Sequence, residues 1–145
     1  MPERPELLGD VKEVQAVYKI WEQNLHHHHL YNKKHFKVQS YLQAKEDSRR
    51  GPAKFLPEYQ SGHEWVKLQQ EAMNKGIKTG RIFRSEDNKG NYYMYVDMEK
   101  HIGFYKGKEA SYLRLEITKS SPHAVHSHPV NGKSPQLAKI LKLFK

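Results

Sequence analysis

Successive side chains of a β-strand point to opposite faces, so strict alternation of apolar and polar residues leaves a strand few ways to meet a core. The segment Tyr112 to Val130, YLRLEITKSSPHAVHSHPV, is the part of this chain that the rule constrains most. Leu113, Leu115 and Ile117 alternate with Tyr112, Arg114 and Glu116, and on the return Val125 alternates with His126 and His128. A turn centred near Ser120 or Ser121 keeps the faces of this predicted β-hairpin in register. Ile117 then lies near Val125, and Glu116 and Arg114 lie near His126 and His128. A carboxylate, a guanidinium, a phenol and two imidazoles would share one exposed patch.

Before this hairpin the periodicity changes. Asp10 and Glu13 form a capping-box pair, and Val11, Val14, Tyr18, Trp21 and Leu25 recur at helical spacing. A second helix is predicted from about His35 to Lys45, carrying Phe36, Val38, Tyr41 and Leu42. The stretch DSRRGPAKFLPEY, Asp47 to Tyr59, reads as a loop on its glycine and prolines. Ser61 and Glu64 cap a third helix with a stripe of Trp65, Leu68, Ala72 and Met73, and Gly76 suits its end. Beyond Gly76 the period becomes two, with strands expected at Ile77–Arg84, Asn91–Met98, His101–Tyr105, Ser111–Thr118 and Ala124–Val130. Turn residues lie at Asp87–Gly90 and Lys106–Lys108. Ser134 and Pro135 open a short basic helix over Gln136–Lys145 that would bury Leu137, Ile140, Leu141 and Phe144.

This order predicts an α+β fold, with N-terminal helices packed on a four- to five-stranded antiparallel sheet and a short C-terminal helix. The 145 residues suit one domain: a flexible leading segment over 1–9, then a single unit over 10–145 with a helical part to 76 and a sheet part from 77. No apolar run is long enough to span a bilayer, and no signal peptide is visible at the N-terminus. With no cysteine, disulfides, zinc–thiolate sites and thiol catalysis are excluded.

Charge points to a partner. The net charge is +9, and residues 77–145 hold 13 Lys and Arg against 6 Asp and Glu. Lys and Arg displace counterions from phosphates, so a basic half suits a polyanion, here RNA, with tRNA or rRNA as candidate substrates. Cleavage of RNA through its 2′-hydroxyl needs a base, an acid and a cation to hold the charged phosphorane. Glu116 or one of His126 and His128 would be the base, the other histidine the acid, and Arg114 or Lys119 the clamp, with Tyr112 hydrogen-bonding or stacking. Arg81 and Arg84 would meet phosphates, and Tyr93 and Tyr95 would stack on bases. No cofactor is implied. Two alternatives stay open: a non-catalytic nucleic-acid-binding domain using the same basic face, and a metal-dependent hydrolase in which His123, His126 and His128 bind the ion.

Two local resemblances bear on these readings. His126-Ser127-His128-Pro129 resembles the HxHP segment of JAMM metalloproteases, which place a Ser and then an Asp ligand downstream; the corresponding VNGKSPQLAKILK has no Asp. Gly80 to Tyr105 resembles the strands of colicin-type ribosome-cleaving RNase domains at Arg81-Ile82-Phe83, Gly90 and His101-Ile102-Gly103. Asn91 and Tyr93 stand where that family keeps a carboxylate, so no catalytic residue carries over. The general plan resembles the C-terminal RNase domains of bacterial polymorphic and contact-dependent toxins, and the layout is similar to barnase-like and colicin-like nucleases. That resemblance implies action in the cytoplasm of a target cell and an acidic immunity protein as cognate partner.

Overall fold

The structure is a computed structural model that describes residues 6–7, 19, 35, 38–60, 62–79, 82–84, 91–118 and 125–143. The fold is α+β. Three helices are described: α1 (Tyr41–Arg50), α2 (Gly62–Thr79) and α3 (Pro135–Leu143). The strands are β1 (Glu6–Leu7), β2 (Lys54–Phe55), β3 (Ile82–Arg84), β4 (Asn91–Asp97), β5 (Gly103–Tyr105), β6 (Lys108–Ala110), β7 (Tyr112–Thr118) and β8 (Val125–Val130). They form two antiparallel sheets where one was expected, a larger one ordered β1-β3-β4-β7-β8 and a smaller one ordered β2-β5-β6. Glu6 and Leu7, inside the segment expected to be loose, pair with Arg84 and Phe83. The first expected helix lies outside the described residues except for Lys19, which is helical.

Local chemistry explains where the elements depart from the expected bounds. The second helix begins at Tyr41 rather than His35, because Ser40 is extended and its hydroxyl accepts the Gln43 amide at 3.1 Å. Gln43 reciprocates by accepting the Gln39 amide at 2.9 Å, so the start is fixed from both sides. The helix then runs to Arg50, and the stretch read as loop also contains β2 and a 3₁₀ turn over Pro57–Tyr59. The third helix does not stop at Gly76 but reaches Thr79, which leaves β3 to start at Ile82. Gly76 is an approach point instead: a Cβ there would strike the Met94 thioether. The tail helix starts as expected, with Ser134 accepting the Leu137 amide at 3.3 Å and Pro135 at the first helical position.

The larger sheet is covered on both faces. On one, Trp65, Leu68, Ala72 and Met73 of α2 pack on Met94, Val96, Leu113 and Leu115, together with Phe55 and Phe104 of the smaller sheet and Ile102 just before β5. On the other, Leu137 and Ile140 of α3 pack on Tyr93, Tyr95 and Val130, with Tyr105, Tyr112 and Leu141 at the margin. The C-terminal helix therefore lies on the face where the polar residues of β7 point. Among the described residues no helix is long and apolar enough to cross a membrane.

Candidate functional site

The register of β7 and β8 places Arg114 opposite His128, Glu116 opposite His126 and Ile117 opposite Val125, which is the register that strand parity predicts. On the other side of β7, Tyr95 lies opposite Arg114 and Tyr93 opposite Glu116. Two cross-strand rows result, Tyr95–Arg114–His128 and Tyr93–Glu116–His126. Leu113 and Leu115 are fully buried on the opposite face. His126 is placed by its backbone register alone.

The patch is not an open surface. Arg114 and Glu116 retain side-chain exposures of 20% and 31% and form an ion pair at 3.0 Å. Arg114 also donates through Nε to the Tyr95 hydroxyl at 3.2 Å, and that hydroxyl donates to Oε1 of Gln136 on α3. The guanidinium lies 5.7 Å from the Tyr93 ring centre and 5.9 Å from that of Tyr95, within reach of both π faces. Burial pushes the Tyr95 phenol above its ordinary pKa, and the neighbouring guanidinium offsets only part of that. Desolvation pulls Arg114 down, but Tyr95 and Glu116 outweigh it and the net shift is upward, so the guanidinium stays charged.

Tyr93 and Tyr95 are corrected by this arrangement. They are 4% and 8% exposed beneath α3, so their rings are packing groups and not open platforms for bases. Tyr112 lies opposite Val130 and packs at the edge of the same apolar cluster, beyond the two rows. Arg84 lies opposite Tyr92 and is out of register with both rows. Lys119, Arg81 and His123 lie outside the described residues, and with His123 goes the three-histidine metal set. Among the described residues no group of three His, Asp or Glu is gathered for a metal.

One histidine joins the site without a signal in the sequence. His35, expected to open a helix, is 6% exposed, and its Nδ1 lies 2.6 Å from the Ala53 carbonyl. That contact makes Nδ1 the protonated nitrogen when the ring is neutral. The ring stacks on His128 with centres 5.1 Å apart and planes at 24°. No local pattern around His35 could reveal a partner so remote in the chain.

A second polar hollow, of about 340 Å³, is lined by Glu99, Lys100, His101, Glu109, Ala110 and Ser111. Its histidine is committed to the fold, with Nε2 2.8 Å from the Gly103 carbonyl and the ring edge-on to Phe104. The β7–β8 face gathers more groups able to move protons or hold an anion.

No family model matches the chain, and no curated protein and no solved structure matches it.

Proposed function

We propose that this chain is a small basic ribonuclease whose chemistry is carried out on the β7–β8 face without a metal. The observation that carries the reading is the pair of cross-strand rows, which place Arg114, Glu116, His126 and His128 at adjacent register positions. In this reading Glu116 or one histidine takes the proton of the RNA 2′-hydroxyl. The 2′-oxygen attacks phosphorus, the bond to the 5′-oxygen breaks, and the other histidine protonates that leaving oxygen. The products are a 2′,3′-cyclic phosphate and a 5′-hydroxyl. Arg114 holds the charge that builds on the phosphorane, where a fixed cation acts most strongly. His35, stacked on His128, orients that ring.

The wider reading is of a toxin domain acting in the cytoplasm of a target cell, on tRNA or rRNA, with an acidic immunity protein seated on the basic surface. A non-catalytic RNA-binding domain is the second reading; it is favoured by the 3.0 Å pairing of Glu116 with Arg114, which a purely structural strand face also shows.

The test is incubation of the purified chain with single-stranded RNA in excess chelator. Cleavage to cyclic-phosphate ends is expected. Binding without cleavage transfers the chain to the second reading, and cleavage restored only by added divalent metal supports the His-based hydrolase.

A further inference from the structure

A phosphate clamp made from arginine must be held, because the free side chain loses rotamer entropy when it is fixed. Arg114 is held by groups that come from three elements. Its Nη1 binds Glu116 on its own strand at 3.0 Å, its Nε binds Tyr95 of β4 at 3.2 Å, and Tyr95 binds Gln136 of α3. The direction of the relay follows from the chemistry of its ends. A guanidinium Nε–H only donates and an amide oxygen only accepts, so the Tyr95 hydroxyl accepts from Arg114 and donates to Gln136.

The far end of the relay is itself anchored. Gln136 sits in the first turn of α3, directly after Pro135. Leu137 and Ile140 are buried on Tyr93 and Tyr95, and the Ser134 amide donates to the Asn131 carbonyl at 3.0 Å. Asn131 in turn donates through its side chain to the Tyr105 carbonyl at 2.9 Å, tying this corner to the smaller sheet. Among the described residues the relay occupies Nε and Nη1 of Arg114, and Nη2 carries no hydrogen bond.

We propose that Tyr95 and Gln136 are positioning residues that orient the Arg114 guanidinium so that Nη2 meets a phosphodiester, which makes the C-terminal helix part of the site. This rests on the ribonuclease reading for its substrate but not for its geometry. It gives the hydroxyl of the buried Tyr95 and the polar residue at the head of an otherwise apolar-faced helix a single purpose. The clamp interaction strengthens as charge develops on phosphorus, so loss of orientation falls on kcat more than on KM.

The experiment follows the Arg114 Nε–Hε resonance by NMR in the full chain, alongside RNA cleavage. In the native protein the resonance is expected to be slow to exchange with water and to shift when inorganic phosphate is added. Tyr95→Phe keeps the ring and removes the hydroxyl, and Gln136→Leu removes the acceptor at the other end. Both are expected to speed exchange of the resonance, abolish its phosphate shift and lower kcat about tenfold with KM within about twofold, a small misplacement being enough for such a loss. Gln136→Glu restores an acceptor and is expected to recover the resonance and most of the rate. If Tyr95→Phe does not fold, the two Gln136 variants carry the same readouts. An unchanged resonance in Tyr95→Phe or Gln136→Leu overturns the proposal, as does a lost resonance with an unchanged kcat. If the native chain cleaves no RNA, the ribonuclease reading fails alone. The phosphate shift then decides the positioning role, and its absence from the native protein ends that too.

Discussion

Replacing Arg114 with lysine separates the structural part of this side chain from its chemical part. The positive charge stays, but one ammonium nitrogen cannot occupy both the Nε position, 3.2 Å from the Tyr95 hydroxyl, and the Nη1 position, 3.0 Å from Glu116. One hydrogen bond is lost. The Tyr95 hydroxyl is not orphaned, because Gln136 still accepts from it. Glu116 is 31% exposed, so water replaces part of what it loses. The stability cost is therefore that of one ordinary hydrogen bond, about 1 kcal/mol, or roughly 2–4 °C in Tm for a chain of this size. The chemical cost is larger. An oriented donor to the transition-state oxyanion is worth about 10²-fold in turnover, and lysine offers a point charge in place of a planar fork. Urea unfolding followed by tryptophan fluorescence gives the first quantity, and single-turnover cleavage of a short RNA gives the second. Turnover within about threefold of the native rate would show that the guanidinium geometry is not used. A stability loss beyond about 3 kcal/mol would make Arg114 a keystone of the fold instead.

Three further outcomes follow from the structure. Gly103→Ala places a Cβ against the Lys54 carbonyl and the Pro129 ring, forcing β5 away from β2 and from β8 next to His128. It is expected to lower stability by about 1–3 kcal/mol and to reduce cleavage, and a neutral effect in urea unfolding would contradict the packing of the two sheets there. Tyr95 and Tyr59 titrate above their ordinary value of 10.0, in each case chiefly through burial. The folded state therefore holds their protons more tightly than the unfolded chain, and this contribution is complete below about pH 10 and lost as pH rises through the raised values. Tyr95→Phe with Tyr59→Phe is expected to flatten the fall in stability across that range relative to the native chain, and an identical slope would refute it. RNA affinity is expected to fall steeply with salt, and Arg114→Gln to reduce the slope of log K against log salt by about one; an unchanged slope means the guanidinium meets no phosphate.

How far the sequence foretells this molecule depends on whether the deciding contact is local. The β7–β8 register follows from alternation and one assumed turn centre, since a slip of one residue would put Leu113 and Leu115 on the wrong face. The start of α3 is equally local, written in Ser134 and Pro135. Gly76 shows the opposite case. Helix termini and close approaches both favour glycine, and only the position of Met94 in the sheet distinguishes them. The strands β2 and β6 are two and three residues long, too short for a period of two to register. Alternation in β4 and β7 separates an apolar from a polar face but cannot say whether the polar face is covered. Tyrosine suits either outcome, and burial of Tyr93 and Tyr95 follows only when α3 docks on them. His35 has no periodic or motif context, and its place beside His128 comes from tertiary structure alone.

The most direct measurement is single-turnover cleavage and binding of the same RNA by the native chain and by Glu116→Ala and His126→Ala, in chelator. The expected result is a rate lowered by about 10²-fold or more in each variant with RNA affinity nearly unchanged, as for a lost general acid or base. Cleavage at the native rate by both variants would place the chemistry elsewhere and contradict the assignment of the β7–β8 face as the active site.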